Sequence, residues 1–161
     1  MPEVGMLEKE AGLFDSALPD VYLFVCTGNT CRSPMAAALF NALWQHRGIA
    51  VSAGFSSDGS PISENAVLAL RDRGIESCGK NDYENHVSRR ITEEMIASAK
   101  VVIGISSRHT MALISAFPQY AEKIVSLGEI SDPYGGDLER YKRCLADIEA
   151  AEAAMFGETD G

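Results

Sequence analysis

The spacing of apolar positions changes several times along the chain, and the changes mark out strands alternating with helices. VYLFVC (Val21 to Cys26) is an unbroken β-branched and aromatic run, the pattern of a strand buried on both faces. Ser33 as N-cap and Pro34 at the first helical position then open a helix through MAAALFNALWQH. IAVSAG (Ile49 to Gly54) predicts a second short strand, and Ser63 to Arg73 a helix that Gly74 ends. Thr92 caps EEMIASA, KVVIGI (Lys100 to Ile105) reads as a buried strand, Ser107 to about Phe117 is helical, and KIVSL (Lys123 to Leu127) is the last strand. From Asp137 to Met155 the residues Leu138, Tyr141, Leu145 and Ile148 recur at helical spacing, so a helix closes the fold.

This alternation predicts an α/β fold with a parallel sheet covered by helices on both faces. In such sheets ligands bind beyond the carboxyl ends of the strands, and the loop after the first strand is the favoured place. Residues 1 to 20 stand apart as an acidic amino-terminal extension ending at Pro19 and Asp20. Their sparse apolar series Leu7, Ala11, Phe14 and Leu18 fits either a short docked helix or a frayed tail, and residues 21 to 161 form the domain.

Composition narrows the class. The 161 residues are 46% hydrophobic and 23% charged, the balance of one globular domain that needs neither disulfides nor a structural metal. A formal net charge of -9 argues against nucleic acid or an anionic membrane as partner, so any anion site is local. No apolar run approaches membrane-spanning length, and the amino terminus has neither a basic n-region nor an apolar h-region, which points to the cytosol. Four cysteines without a CxxC pair and three histidines make a zinc site or disulfide framework improbable, and no cofactor is expected. Cys78 and Cys144 read as small buried hydrophobes, and His46 and His109 as surface helix residues.

The chemistry gathers in the loop Cys26-Thr27-Gly28-Asn29-Thr30-Cys31-Arg32-Ser33-Pro34, between a strand and a helix amino terminus. Gly28 and Asn29 tolerate left-handed backbone, which lets successive N–H groups curl inward as an anion nest. The helix that follows aims its positive end at the same point, and Arg32 offers a fork to two phosphoryl oxygens. The loop reads as a phosphate cradle with a thiol at one end. Amides, helix terminus and Arg32 should all depress the Cys26 pKa, and Ser33 can donate a hydrogen bond to its sulfur. Attack by a thiolate on phosphorus requires an acid for the leaving group. Asp132, in the Gly/Pro loop SDPYGGD, lies at the carboxyl end of the last strand, although an Asp-Pro in isolation is usually a turn. Asp137 could raise its pKa by like-charge repulsion, but reads more simply as the cap of the final helix.

VCTGNTCRSP resembles the signature of the low-molecular-weight protein phosphatase family, and the resemblance runs from residue 21 to about 156. It takes in Ser52-Ala53-Gly54, the stretch from His86 through Thr92, and Asp132-Pro133. It implies a three-layer sandwich with a four-stranded parallel sheet in the order 2-1-3-4, a phosphocysteine intermediate and no metal. It also implies that Cys26, Arg32 and Asp132 are catalytic, with Asp132 first general acid and then general base. Thr27, Gly28, Asn29, Thr30, Cys31 and Arg32 would hold the phosphate. Asn29 and His86 match positions that keep the loop in shape. One departure is visible after the third strand, where the family commonly has an M-D-E-S-N-like stretch and this chain has Gly104-Ile105-Ser106-Ser107-Arg108-His109.

Thr30 stands where tyrosine phosphatases of the family commonly carry isoleucine and bacterial protein-arginine phosphatases carry threonine. A threonine offers less apolar bulk to a phenyl ring and a hydroxyl to a polar guanidinium. Asp132-Pro133-Tyr134-Gly135-Gly136 also resembles the arginine-phosphatase version, with Tyr134 walling the pocket. The implied partner is a phosphorylated protein, with phosphoarginine favoured and phosphotyrosine the alternative. An arsenate reductase would need further cysteines as a relay, for which Cys78 and Cys144 are poorly placed in sequence. A non-catalytic anion-binding domain would not need Cys26, Arg32 and Asp132 together. The spacing of Cys26 and Cys31 also permits a reversible protective disulfide.

Overall fold

The computed structural model describes residues 18–159, so most of the amino-terminal extension, including Leu7, Ala11 and Phe14, lies outside the described residues. Four parallel strands, β1 (Val21–Cys26), β2 (Ile49–Gly54), β3 (Val101–Gly104) and β4 (Ile124–Ser126), form one sheet in the order β2-β1-β3-β4. The helices are α1 (Arg32–Leu43), α2 (Glu64–Asp72), α3 (Glu93–Ser98), α4 (Ser107–Ala116) and α5 (Leu138–Phe156). Short 3-10 turns lie at Tyr83–Asn85 and Pro118–Lys123.

The unbroken apolar run of β1 is explained by its place in the middle of the sheet. Tyr22, Phe24 and Cys26 face a core shared with α1, α2 and α5, where Phe40, Trp44 and Phe156 pack ring against ring. Leu23 and Val25 face the opposite core with Ile96, Val102 and Leu113. The result is a three-layer α/β sandwich. Arg73 clamps Glu149 with two hydrogen bonds of 2.8 and 2.7 Å, tying the end of α2 to α5. Among the described residues no helix is long and apolar enough to cross a membrane.

Strand register aligns Cys26 with Gly54, Val25 with Gly104 and Gly104 with Ser126, so the carboxyl ends of all four strands open on one edge. Gly54 is required there, since a Cβ on it would come within 2.6 Å of the Thr27 carbonyl oxygen. Two element ends differ from expectation. α1 begins at Arg32 with Cys31 as N-cap, so Ser33 is not the cap but lies in the first turn, because its hydroxyl is engaged by the Cys26 loop. α1 also stops at Leu43, leaving His46 exposed in the turn that follows. Thr92 and Asp137 cap α3 and α5 as read, accepting from the amides of Met95 and Arg140.

Candidate active site

The loop from Cys26 to Arg32 lines the floor of a cleft of about 520 Å³ at the carboxyl edge of the sheet, and Asp132 and Tyr134 form its far wall. The structure therefore brings together Cys26, Arg32 and Asp132, although Asp132 is more than a hundred residues from Cys26 in the chain.

Of the two residues expected to take left-handed backbone, Asn29 does so (φ 60°) and Gly28 does not. That single turn points the Asn29 amide at the Cys26 sulfur, 3.3 Å away. The Asn29 side chain is held twice. Its Oδ1 accepts from the Arg89 amide (3.0 Å), which orients Nδ2 toward the Ser33 hydroxyl (2.8 Å). Ser33 Oγ in turn lies 2.9 Å from Cys26 Sγ. His86 Nε2–H donates to the Asn29 carbonyl at 2.9 Å, and burial holds this imidazole below its ordinary range, so it acts as a neutral strut.

Cys26 departs from the expectation of a depressed thiol. Burial pushes its pKa up, and this outweighs the Ser33 hydroxyl, the Ser33 and Asn29 amides and the Arg32 charge, all of which pull it down. The nest is present, but so is the loss of solvent around the sulfur.

Arg32 is buried, and one arm is already engaged. Nη1 donates to the Ile130 carbonyl at 2.9 Å, while Nη2 lies 3.6 Å from Asp132 Oδ2. The guanidinium thus joins the cradle to the Asp132 loop as well as facing the cleft. Asp132 is half-exposed, and its Oδ1 accepts from the Tyr134 amide at 3.1 Å, so the turn and the carboxylate are one structure. Thr30 is part-exposed on the wall, and Tyr134 is exposed at the rim. Asp137 is engaged as the α5 cap, accepting from the Arg140 amide at 3.0 Å.

Several residues at the site were not picked out from the sequence. His109 is buried, contrary to its reading as a surface residue, and its Nε2 lies 3.0 Å from Thr27 Oγ1. Tyr141, read as part of an apolar stripe, places its hydroxyl 3.2 Å from Cys31 Sγ and accepts from Ser63 Oγ at 3.1 Å. The Ser63 amide donates to the Thr30 carbonyl at 2.9 Å, so the start of α2 braces the cradle. Burial and the Cys31 contact push the Tyr141 phenol up to about 12, which keeps it a neutral hydroxyl. Among sequence signals, only the helical position of Tyr141 was visible; the contacts join segments far apart in the chain.

The remaining cysteines divide. Cys144 is buried and burial pushes its thiol up to about 12, as suits an inert core residue. Cys78 is exposed, not buried, because it sits in a tight turn paired through backbone with Asn81. All four cysteines are free thiols in this structure. Among the described residues no His, Cys, Asp and Glu cluster could hold a metal ion.

The model of a family described as low molecular weight phosphotyrosine protein phosphatase matches residues 21–160. A protein-arginine-phosphatase of Bacillus subtilis is 37% identical over 139 residues, covering 79% of this chain and 88% of that protein. The solved arginine phosphatase of Geobacillus stearothermophilus superposes with a TM-score of 0.75 at 35% identity, covering 85% of this chain and 90% of the other. A low molecular weight protein tyrosine phosphatase from T. tengcongensis gives 0.76 at 34% identity, covering 84% and 97%.

Proposed function

From the premise that the chain belongs to the low molecular weight phosphotyrosine protein phosphatase family and is a hydrolase of that family, we propose that it cleaves phosphorylated protein side chains through a phosphocysteine on Cys26, with phosphoarginine preferred to phosphotyrosine. The observation that carries the mechanism is the placement of a buried sulfur beneath an amide, a hydroxyl and a guanidinium, with a carboxylate across the cleft.

In the first step a phosphoryl oxygen of the entering substrate takes the Cys26 proton, the sulfur attacks phosphorus, and the bond to the side-chain nitrogen or oxygen breaks. Asp132 gives its proton to that leaving atom. In the second step Asp132, now ionised, takes a proton from water, whose oxygen attacks phosphorus and releases the sulfur as inorganic phosphate forms. The loop amides and Arg32 hold the phosphoryl oxygens through both steps, where charge develops in the transition state. Arg32 also sets the distance between the cradle and Asp132 through Ile130.

The preference for phosphoarginine rests on Thr30. Relatives named protein-arginine-phosphatase are 37–38% identical and those named for tyrosine 26–30%, which supports the same reading, although a solved structure named for tyrosine is 34% identical. Thr30 lines the cleft and its carbonyl is fixed by the Ser63 amide, so its side chain has a defined place on the wall. A hydroxyl there suits a polar planar guanidinium better than a phenyl ring. Tyr134, 76% exposed at the rim, gives either planar group a face to stack on. The phosphotyrosine reading remains the alternative. Turnover of phosphoarginine and phosphotyrosine peptides by the native protein and by Thr30→Ile tests it: native preference for phosphoarginine, shifted toward phosphotyrosine in the variant, is expected. An unchanged preference in the variant removes Thr30 from the mechanism of choice. The site's acidic host, at net charge -9, makes local groups such as Arg32 the attraction for a phosphoprotein, acting in the cytosol.

A further inference from the structure

The turn after β3, where this chain departs from the common family stretch, sends a histidine from the first turn of α4 to the Cys26 loop. His109 is 2% exposed, and its ring stacks on Phe55 with centroids 6.5 Å apart and planes 17° from parallel. Its two nitrogens have different partners, and these fix where the ring proton sits. The Ser106 backbone N–H points at Nδ1 from 3.3 Å, and the Ser106 hydroxyl lies 3.0 Å from the same atom. A backbone amide can only donate, so Nδ1 must present its lone pair. In the neutral ring the proton is then on Nε2, which faces Thr27 Oγ1 at 3.0 Å and donates to it.

The consequence falls on Thr27. Its hydroxyl oxygen is occupied by the imidazole N–H, and the hydroxyl makes no other hydrogen bond among the described residues. Its own proton is therefore free to point elsewhere, and Thr27 lines the cleft. We propose that His109 is a positioning residue that turns the Thr27 hydroxyl into a one-way donor toward the phosphoryl group held over Cys26. The inference rests on the phosphatase reading of the cleft. Burial, with Arg32 and Arg108 nearby, holds the His109 pKa at about 4 against Asp132 and Glu129, so the arrangement persists across the neutral range.

Two measurements on the full chain decide it. Long-range proton–nitrogen spectra of the labelled imidazole should show a neutral ring protonated on Nε2 at pH 7. In kinetics with p-nitrophenyl phosphate, Thr27→Val and His109→Asn should each lower kcat/KM about tenfold, the size of one hydrogen bond to a charged group. The asparagine keeps an acceptor for the Ser106 amide but cannot reach Thr27. His109→Gln, whose longer side chain restores a donor near Nε2, should recover most of that loss, which a merely structural role would not give. Combining His109→Asn with Thr27→Val should be no worse than Thr27→Val alone. A ring protonated on Nδ1, or an undiminished His109→Asn effect in the Thr27→Val background, overturns the inference while leaving the phosphatase intact. Native protein that releases no phosphate fails the reading beneath it, and the inference falls with it.

Discussion

The Ser33 hydroxyl lies 2.9 Å from the Cys26 sulfur and accepts from the Asn29 side-chain amide at 2.8 Å, which leaves its own proton to donate to the sulfur once that is ionised. The Arg89 amide fixes the orientation of Asn29, so the direction of the Asn29–Ser33 bond is set by backbone. The bond to Ser33 pulls the thiol pKa down against burial. Ser33→Ala should therefore raise that pKa further and move the acid limb of the kcat/KM profile to higher pH. A hydrogen bond to a charged group is worth about 1.5–3 kcal/mol, so kcat/KM at neutral pH should fall by about 10- to 100-fold. Alkylation of Cys26 against pH checks the shift directly; coincident curves for native protein and variant would remove Ser33 from the activation of the sulfur.

Arg32 connects two walls of the cleft, through Ile130 and Asp132. A lysine carries the same charge on one nitrogen and cannot hold the Ile130 carbonyl, face Asp132 and receive two phosphoryl oxygens together. Arg32→Lys should cut kcat/KM by about 100-fold or more, with weaker inhibition by inorganic phosphate. Steady-state kinetics with phosphate as competitive inhibitor measures both, and a variant with native phosphate affinity would mean that charge alone suffices.

Much of this was legible in the sequence for a physical reason. A helix stripe, a β-branched run or a strand–loop–helix cradle is local, so Val21 to Cys26, Asn29 and the Asp137 cap could be read from neighbours in the chain. What escaped depends on contacts between distant segments. His109 has the sequence context of an exposed helical turn, and only the docking of α4 against β3 and β4, with its contact to the Cys26 loop, buries it. Ser33 has the sequence of a cap, yet the loop claims its hydroxyl and the helix starts earlier. The Cys26 pKa fails in the same way: the donors are local and visible, while the burial that opposes them comes from the assembled core.

Asp132 is positioned by its own turn, through the Tyr134 amide, and by the Arg32 fork. Asp132→Asn keeps the shape and removes the proton. Loss of a general acid costs about 10²- to 10⁴-fold, and the loss should be larger for phenyl phosphate than for p-nitrophenyl phosphate, whose leaving group needs less protonation. Equal losses with both substrates would show that Asp132 acts on something other than the leaving atom.

Glu152 presents the opposite situation, an acid with no role in the cleft. It lies on the core face of α5, fully buried, and neither carboxyl oxygen has a hydrogen-bond partner among the described residues. Burial, and to a lesser degree Glu149, pushes its pKa well above the ordinary carboxyl range, so the folded protein keeps a proton that the unfolded chain gives up. The sign follows from linkage. The native state binds the extra proton, so its contribution is fully present below the unfolded carboxyl pKa and is lost as pH rises toward the folded one. Glu152→Gln retains the shape and cannot ionise. Urea unfolding of native protein and variant at a series of pH values should show the variant gaining on the native protein as pH rises, by at most about 1.4 kcal/mol per unit within that window. A stability difference that stays constant with pH would mean that Glu152 ionises alike in both states, and that its burial is relieved by a partner.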